Sequence, residues 1–522
     1  MRPCARPRPD EHRGNSPALF RGSGIGDPMP NLRRRLVSGT VYTLASVLVV
    51  QVVSLIVSIA YARILGPENL GVLAILTQLS SAIIPLSSIG LGIAIARMVP
   101  EYKGKGPREL ERLLSSALVI TVLAGILVSA GYFAVSYDLA VLYGVPELVL
   151  LVQVSASIVV LDAFLTLAVA VVQGFHRVKE LAVIGLAAKA ATLPVIVVMT
   201  LTWGLIGAVL AGVVSQVINA AIYAWTLRSI VRTERISISY SRFDRSTAKD
   251  ILRTALPLFA AFIVMRPALL FQASYLAILI GYSELGLFRV ASSLYRIALL
   301  LPSSLSIPLL PAISEMYTES PRDRTAGQLS SLLRITAFLS LPITLAIGLG
   351  SVHIIQILYG TEYVAAAPLV FVISAAAFVD TMGIVVENTL LGTGRTKQVF
   401  YLAIMQAFVI AVTSYAFITV FGLLGIGFAM LANAVVYATV VGIYLLRRRE
   451  IRFAEFRTIL ALALVSFLLA AVIALSVGLS NLSITVAFVA GLVLVEFRLL
   501  SKRDRSVLKD SLKSVFYREE RA

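Results

Sequence analysis

Long apolar runs follow one another along the chain, separated by short polar segments. A helix needs roughly 20 apolar residues to cross the hydrocarbon core of a bilayer. Continuous runs are typical of helical membrane proteins, because apolar and polar residues alternate along the strands of a membrane β-barrel. The pattern predicts an all-α integral membrane protein with about fourteen crossings, at residues 40–62, 70–95, 114–135, 148–172, 181–202, 204–225, 251–280, 285–313, 332–354, 365–391, 399–421, 423–446, 456–477 and 482–497.

Alternate polar segments are strongly basic, and the segments between them are short and mainly acidic. Lys and Arg accumulate in the cytoplasmic loops of membrane proteins. One crossing more or fewer would break the alternation, so the pattern predicts an even count. It also predicts a cell-membrane protein with both termini in the cytoplasm. The basic segments surround Lys103, Arg177, Arg242, Arg322, Arg395, Arg447 and Lys502.

Short motifs occur twice in the chain. Gly-Pro-Glu-Asn-Leu-Gly at 66–71 returns as Gly-Tyr-Ser-Glu-Leu-Gly at 281–286. Gly-Leu-Ile-Gly at 204–207 returns as Gly-Leu-Leu-Gly at 422–425, after nearly the same interval. Six predicted crossings separate the copies, so both have the same orientation, as in transporters whose halves are parallel repeats. We therefore predict two six-helix lobes around a central cavity, followed by two extra C-terminal helices.

The predicted domains follow from this repeat. Residues 1–35 form a basic cytoplasmic tail, rich in Pro, Arg and Gly and predicted to be disordered. Met29 is an alternative start, because the helical pattern begins only after Leu32. The first lobe covers 36–230, a cytoplasmic linker 231–250, the second lobe 251–450, the last two crossings 451–500, and a basic cytoplasmic tail 501–522.

Composition narrows the class of protein further. The chain is 58% hydrophobic and 14% charged, a balance that excludes an ordinary soluble domain. Its net charge of +17 suits contact with anionic membrane lipids. Nucleic-acid binding is not expected, because no soluble domain carries a contiguous basic patch. The single cysteine, Cys4, excludes a disulfide within the chain and a metal cluster held by thiolates.

Ionisable residues inside the predicted crossings carry the most information about function. An ionised side chain at the centre of a membrane helix costs about 2.5–3.5 kcal/mol on insertion scales and usually faces a cavity or a partner. Asp162 and Asp380 are separated by the same interval as the glycines at 204 and 422, so each lobe places a carboxylate at the same depth. Glu387 and Asn388 follow Asp380 on one helix face. Lys189 lies at a depth that permits pairing with Asp162.

Two interpretations of these five residues remain open. In the first, they form structural ion pairs or buried hydrogen bonds between helices. In the second, they contact a sugar or couple transport to a cation, Na⁺ or H⁺.

Three arginines lie in crossings of the second lobe. Arg266 is in the seventh crossing, and Arg289 and Arg296 are two helical turns apart in the eighth. Guanidinium groups bind phosphate oxygens in bidentate fashion and stay charged in a poor dielectric, so these residues predict a phosphate site. Ala74 and Ser81 occupy the positions equivalent to Arg289 and Arg296. The alternative, snorkelling to the membrane surface, suits Arg289 better than the deeper Arg296.

A second repeated motif, Gly-x-x-Arg-x-Lys, occurs at 174–179 and at 392–397. Its cations are Arg177, Lys179, Arg395 and Lys397. Their position follows the bias of Lys and Arg towards the cytoplasm and is favourable near a helix C-terminus. A further interpretation is a cytoplasmic gate that closes the inner mouth of the cavity.

Sequence motifs for catalysis are absent. The chain has no phosphate-binding loop, no nucleophile elbow and no His-carboxylate metal spacing. The predicted outer loops are about a dozen residues at most, within the ordinary range for connectors, and leave little room for acid–base groups. We therefore expect a transporter rather than an enzyme, without a cofactor and driven by an ion gradient or by its substrate.

The opening segment carries a family resemblance. Ser-Gly-Thr at 38–40 and Ala-Arg-Ile-Leu-Gly-Pro-Glu-Asn-Leu-Gly at 62–71 resemble the start of polysaccharide transporters of the MOP superfamily, the Wzx-type flippases. The loop at 174–179 and the start of the sixth crossing at 204–207 are also similar to theirs. The resemblance covers about residues 36–500 and implies two six-helix lobes, often with two additional helices.

The resemblance also implies a function: the sugar-bearing head of a polyprenyl phosphate or diphosphate is moved from the inner to the outer leaflet. The three arginines would then hold phosphate. The implied partners are a lipid-linked oligosaccharide and the glycosyltransferases or polymerase of the same pathway. One alternative is a Na⁺- or H⁺-coupled small-molecule exporter, like the drug exporters of the superfamily. A membrane glycan polymerase or ligase is a further alternative, which the short outer loops disfavour.

Overall fold

The computed structural model describes residues 29–300, 322–393, 395–448, 453–477 and 482–499. These residues form fifteen α-helices and two short 3₁₀ helices, and the described part of the chain contains no β-strand. The predicted all-α fold is therefore confirmed. The helices are α1 (Met29–Ser88), α2 (Leu91–Lys105), α3 (Pro107–Ala134), α4 (Ser136–Tyr143), α5 (Leu148–Gly174), α6 (Val178–Thr233), α7 (Arg245–Leu279), α8 (Tyr282–Ala298), α9 (Arg322–Leu349), α10 (Ser351–Leu358), α11 (Ala367–Gly392), α12 (Thr396–Phe421), α13 (Leu423–Arg447), α14 (Phe453–Val477) and α15 (Leu482–Leu499).

Glycine turns divide the two longest helices. Gly66 (φ 72°, ψ 172°) interrupts α1, and Gly204 (φ 57°, ψ −131°) interrupts α6. Glycine alone adopts a positive φ without a steric penalty, so the sequence marks both positions. Just after the second turn, Gly207 packs against the carbonyl oxygen of Met199. The chain therefore reverses direction at these glycines, and each half of the helix makes its own crossing.

The described helices account for the predicted crossings. Eight helical segments are long and apolar enough to span a membrane. Two of these have 57 and 51 residues: Val49–Lys105, which runs from α1 into α2, and Val183–Thr233 of α6. Each is more than twice the roughly 20 residues that one crossing needs. Shorter apolar helices lie in the seventh, thirteenth and fourteenth crossings. The helix α8 begins the eighth crossing, whose predicted end at residue 313 lies outside the described residues. The protein is a multi-pass helical membrane protein.

The repeat seen in the sequence recurs in the backbone. Gly422 has φ 56° and ψ −127°, close to the angles of its repeat equivalent Gly204. Arg177 and Arg395 are also equivalent in the repeat, and they have φ −87° and ψ 49° and φ −86° and ψ 49°. The two lobes therefore share not only their helix order but also the conformation of their turns.

Two short helices on one face of the protein were not predicted. Helices α4 and α10 have eight residues each, and they occupy equivalent positions in the repeat that relates Gly66 to Gly281. Tyr137 and Val141 of α4 and Ile357 of α10 are at least 65% exposed. Short helices with exposed apolar side chains are typical of the membrane–water interface. We call the face that carries these helices and the turns at Gly66 and Gly281 the turn face.

The opposite face carries residues 234–244, which join the lobes, and we call it the linker face. The backbone N–H groups of Ser237, Ser239 and Asp244 donate to Glu111, Ser115 and Ser116 of α3 at 2.6, 3.2 and 3.0 Å. Arg242 adds an ion pair with Glu111. The charge pattern predicts that this face is cytoplasmic. The linker is thus fixed to the first lobe.

Helix α7 belongs to both lobes. Near its start, Ile251 and Ala255 are fully buried in a cluster with Leu91 and Leu110 of the first lobe. Near its end, Gln272 donates to Ser414 of the second lobe at 3.0 Å.

The additional helices α14 and α15 pack on α9, so they extend the second lobe only. Ala463 and Ala470 of α14 lie in a buried cluster with Leu341 and Leu345 of α9.

Candidate functional site

The two lobes meet at the turn face through their repeated motifs. Gly71 packs against the carbonyl oxygen of Tyr282, and Gly286 packs against the carbonyl oxygen of Pro67, so closely that a Cβ on either glycine would overlap the oxygen. The two glycines are equivalent in the repeat, and so are the two carbonyl residues, so the contact is reciprocal. The two copies of the repeated motif at 66–71 and 281–286 thus hold the lobes together. We call this contact the seam.

Side-chain hydrogen bonds reinforce the seam in the same reciprocal way. Arg63 of the first lobe donates to the carbonyl oxygens of Ile357 and Leu358 at 2.5 and 2.8 Å. Tyr282 of the second lobe donates to the carbonyl oxygen of Tyr143 at 2.6 Å. Tyr143 and Leu358 end the short helices α4 and α10, whose last carbonyls need partners from outside the helix. Each lobe therefore caps a helix of the other.

Arg289 lies at the inter-lobe contact, about 10 Å below the start of α8 at the rise of a helix. It is half-buried, and its guanidinium donates to the hydroxyl of Thr77 in the first lobe at 2.6 Å. One turn deeper, the hydroxyls of Ser58 and Ser293 are 2.8 Å apart across the same contact. Arg289 thus neither snorkels to the surface nor lies free for a ligand in this conformation. It links the two lobes.

Arg296 lies about 10 Å deeper on the same helix and is exposed. Its guanidinium donates to the Ser293 hydroxyl at 3.1 Å. It lines a cavity of about 30 Å³ between the first crossing and α8, enough for about two water molecules. The other residues that line this cavity are Gln51, Ser54, Leu55, Ser58, Ser293, Ile297 and Leu300.

Arg266, the third predicted arginine, is also exposed. It lies on the same face of α7 as Ala273 and Ala277, which are buried in the core cluster between the lobes. Its side chain therefore points towards the space between the lobes. The described residues contain no contact that links Arg266 to Arg289 or Arg296, so the three arginines do not form one cluster in this conformation.

Asp380 is half-buried and accepts a hydrogen bond from the hydroxyl of Tyr295 at 2.5 Å. Tyr295 precedes Arg296, so the carboxylate and the guanidinium lie at a similar depth. Glu387 is exposed, about two turns towards the linker face. Asn388 donates to the carbonyl oxygen of Ile384 in its own helix at 2.8 Å.

Asp162 has different partners from its repeat equivalent. Its carboxylate accepts a hydrogen bond from Gln216 at 3.0 Å, and the Gln216 carbonyl accepts one from Asn219 at 3.1 Å. Lys189 is exposed, and the ion pairs of the described residues do not include one between it and Asp162. The predicted pairing with Lys189 is therefore wrong for this conformation, because the polar face of the sixth crossing supplies the partner instead.

The predicted gate residues make contacts within their own lobes. Arg177 pairs with Glu180, three residues along its own helix, at 3.3 Å. The Arg395 guanidinium lies 6.0 Å from the centre of the Tyr444 ring in the same lobe. Lys397 is exposed, and the side chain of Lys179 lies outside the described residues. No contact of these side chains that the structure describes crosses between the lobes.

Sequence reasoning missed the partners that define the site: the polar stripe of the first crossing, Thr77 and the Gln216–Asn219 pair. The stripe has a signal in the sequence, because Gln51, Ser54 and Ser58 recur at the spacing of one helix face. The arrangement is sealed at the turn face, and Arg266, Arg296 and Glu387 are exposed on the linker-face side of that seal.

Comparison with known proteins agrees with this geometry. Residues 36–317, just over half of the chain, match the family described as "Polysaccharide biosynthesis protein". None of the curated proteins compared matches the chain.

Three solved structures show the fold. The inward-facing form of a multidrug resistance MATE family transporter of the MOP superfamily is 17% identical with a TM-score of 0.69, and 80% of this chain covers 99% of that one. The inward closed form of the lipid II flippase MurJ is 13% identical with a TM-score of 0.70, and the match covers 89% of this chain and 98% of that one. The outward-facing form of a multidrug resistance MATE family transporter is 18% identical with a TM-score of 0.59, and the match covers 81% of this chain and 96% of that one.

The family match and the fold confirm the resemblance that the opening motif indicated, and its neighbours in fold are transporters and flippases. The chain therefore belongs to the polysaccharide biosynthesis protein family and has the fold of the MOP superfamily.

Proposed function

We propose that this protein is a flippase for a lipid-linked oligosaccharide, a polyprenyl phosphate or diphosphate that carries a sugar. It moves the head group from the cytoplasmic to the outer leaflet of the cell membrane by alternating access, with both termini in the cytoplasm. The observation that carries the proposal is Arg296, an exposed arginine of a predicted crossing, whose side chain lines the cavity between the first crossing and α8. Support also comes from the family match and from the fold shared with a lipid II flippase.

The surroundings of Arg296 suit an amphiphile. Gln51, Ser54 and Ser58 form a polar stripe opposite the arginine, while Val52 and Ile56 on other faces of the same helix are 53% and 43% exposed. Guanidinium and hydroxyl donors bind phosphate oxygens. A prenyl chain can therefore stay in lipid while its phosphate contacts the stripe. A wholly polar substrate would have no use for the apolar side chains beside the stripe.

The size of the cavity implies movement. A space of about 30 Å³, which holds about two water molecules, is too small for a phosphate group with its five heavy atoms. Binding therefore requires the first crossing to separate from α8 and the bond between Ser58 and Ser293 to break. In this proposal Arg296 holds phosphate, and Arg289 controls the separation through its bond to Thr77.

The remaining candidate residues receive secondary roles in the proposal. Arg266 and Glu387 are exposed, and in this proposal they meet phosphate and sugar hydroxyls during passage. Asp380 and Asn388 would position these groups. The cations at Arg177, Lys179, Arg395 and Lys397 would close the cytoplasmic mouth when the turn face opens.

The test replaces Arg296 and measures flipping of a fluorescent lipid-linked oligosaccharide in proteoliposomes. We expect Arg296→Gln to lower the rate about tenfold or more, as loss of a charge-assisted bond of about 1.5–3 kcal/mol implies. Arg296→Lys should retain part of the rate, because an ammonium keeps the charge but not the bidentate geometry. Arg108→Gln, at an exposed arginine in the first turn of α3, is the matched control. A normal rate for Arg296→Gln at a normal amount of folded protein would remove Arg296 from the mechanism.

A second candidate function is ion-coupled export of small molecules. The fold matches a multidrug transporter and a lipid II flippase almost equally, with TM-scores of 0.69 and 0.70. Drug efflux from the same vesicles, without flipping of the lipid-linked sugar, would favour this candidate. We rank it second, because a cationic drug would meet the positive charge of Arg296.

A further inference from the structure

The sixth crossing, the second half of α6, has an outer face that is apolar for most of its length. One side of this helix is buried, with Leu205 and Tyr223 at 9% exposure each. On the opposite side, Ile206, Val214 and Val217 are 46%, 36% and 50% exposed. Exposed apolar side chains along a membrane crossing face lipid, since a water-filled space between helices calls for a polar face. This side of the sixth crossing therefore faces the bilayer.

The same face becomes aromatic and then basic near the linker face. Trp225 is 78% exposed and is followed on this face by the exposed Arg228 and Arg232. From the turn at Gly204, these three residues lie about 32, 36 and 42 Å along the helix. The hydrocarbon core of a bilayer is about 30 Å thick, or about 40–45 Å with its headgroups, and tryptophan is enriched at this boundary. The two arginines therefore lie at the depth of lipid headgroups.

A groove follows this end of the helix. Its volume of about 610 Å³ lies within the range of about 300–1,000 Å³ that is usual for small-molecule sites. Two hydroxyl groups accompany the guanidinium groups. The described residues that line the groove are Ala224, Trp225, Arg228, Ser229, Arg232 and Thr233, and all are exposed.

The positive charge in the groove is not neutralised by the protein. Arg228 and Arg232 are four residues apart and therefore neighbours on the helix surface, and the ion pairs and hydrogen bonds of the described residues include neither of them. The acid that follows them, Glu234, pairs with Lys103 at 2.6 Å. The last carbonyl groups of α6 repel an anion, so the two guanidinium groups must supply the attraction for any anion bound here.

We propose that Trp225, Arg228 and Arg232 bind one anionic phospholipid, with its phosphodiester on the two arginines. Guanidinium groups bind phosphate oxygens in bidentate fashion. The indole lies at the level of the lipid backbone, and the acyl chains follow the apolar face towards Val217. Anionic phospholipids attract basic segments at the cytoplasmic surface, and the charge pattern predicts that the linker face is cytoplasmic. The site lies on the outside of the first lobe, so it is independent of the molecule that the protein transports.

The second lobe does not repeat the site. Ile443 and Leu446 stand at the positions equivalent to Trp225 and Arg228. The Arg448 guanidinium lies 5.1 Å from the centre of the Tyr444 ring in its own lobe. Arg447, equivalent in the repeat to Ser229, is exposed at the end of α13. It provides a matched control, because it is an arginine at the same end of the equivalent helix but without the partner residues.

The test uses Trp225 as its own reporter. The chain has two tryptophans, Trp203 and Trp225, so Trp203→Phe leaves one fluorophore, which brominated lipids quench on contact. The full-length variant is reconstituted in phosphatidylcholine vesicles with rising fractions of brominated phosphatidylglycerol, and separately of brominated phosphatidylcholine. We expect phosphatidylglycerol to bind Trp225 about tenfold more tightly, as one charge-assisted hydrogen bond implies.

Arginine variants in the same background test the assignment. Replacing both Arg228 and Arg232 by Gln should reduce the preference for phosphatidylglycerol to about twofold or less, whereas Arg447→Gln should retain it. Gel filtration shows whether each variant is folded. Inorganic phosphate, at constant ionic strength, should not relieve the quenching, because it lacks the acyl chains that contact the apolar face.

Four results would overturn the proposal. The first is equal quenching by the two brominated lipids in the folded protein. The second is an equal loss of preference in Arg447→Gln, which would indicate general attraction to the basic surface instead of a site. The third is displacement of the lipid by inorganic phosphate. The fourth is displacement by polyprenyl phosphate at lower concentrations than by unlabelled phosphatidylglycerol, which would assign the groove to the transported lipid. A flipping assay is separate, because loss of flipping with intact lipid preference contradicts only the proposed function.

Discussion

Asp162 and Asp380 occupy equivalent positions in the two lobes, at the same depth and on helices of the same order. Asp162 accepts from an amide of the sixth crossing in its own lobe, and Asp380 accepts from a tyrosine of the eighth. By contrast, the turns at Gly204 and Gly422 differ by only a few degrees in φ and ψ. The lobes therefore agree where the backbone must turn and differ where side chains meet ligands.

Steric necessity explains this division. A turn with positive φ, or a helix packed on a carbonyl oxygen, admits essentially one residue, so both copies of the repeat keep glycine there. A polar side chain between helices has several workable partners, provided that each buried group is satisfied. The duplicated scaffold thus leaves the polar side chains of the two lobes free to take different partners, Gln216 for Asp162 and Tyr295 for Asp380.

The largest expected effect comes from the seam, where the lobes are most alike. Gly71→Ala and Gly286→Ala each place a Cβ on a carbonyl oxygen of the other lobe. Overpacking of this kind costs about 1–3 kcal/mol, and every 1.4 kcal/mol changes a population about tenfold. We expect both variants to open the turn face and to lower flipping about tenfold, by similar amounts because the contact is reciprocal.

The seam is measured as a distance between spin labels on cysteines at the exposed positions Glu68 and Ser283, in a background without Cys4. The control is Gly131→Ala, because a Cβ on Gly131 has no neighbour within 4 Å. An unchanged distance in both glycine variants would contradict a seal formed by these contacts. A change in only one of them would show that the seam is not symmetric in energy.

Much of the fold was predictable, because membrane thickness fixes the length of the apolar runs and glycine marks the turns. The short helices α4 and α10 were not predicted. Their residues, Ser136–Tyr143 and Ser351–Leu358, are as apolar as those of the crossings, so the sequence does not reveal where a crossing ends and an interfacial helix begins.

The candidate site was predictable in depth but not in contacts. The repeat placed Asp162 and Asp380 correctly at equivalent positions, yet the pairing of Asp162 with Lys189 is wrong because Gln216 occupies that side. Arg289 was expected to bind phosphate or reach the surface, and it contacts Thr77 instead. Partner choice depends on how each helix is rotated against its neighbours, which the pattern of apolar residues constrains only loosely.

A smaller effect tests whether the shared turns are also equal in energy. Gly204→Ala and Gly422→Ala force an L-residue into a positive-φ conformation that is essentially restricted to glycine, at a cost of about 1–3 kcal/mol. We expect nearly equal losses in the free energy of unfolding, measured in one detergent. The helical Gly104, where a Cβ meets nothing within 4 Å, is the control, and Gly104→Ala should not destabilise. Losses that differ widely between the two lobes would show that similar backbone angles do not imply similar strain.

The smallest expected effect comes from removing the hydrogen bond that each of the two carboxylates, Asp380 and Asp162, accepts. Tyr295→Phe removes the hydroxyl that donates to Asp380 and keeps the ring, so we expect a loss of about 1 kcal/mol in stability, typical of a hydrogen bond between membrane helices. Gln216→Leu removes the donor to Asp162 and should cost a similar amount. Both losses are measured as changes in the free energy of unfolding in one detergent. Losses that differ widely would mean that the two hydrogen bonds are equivalent in position but not in energy.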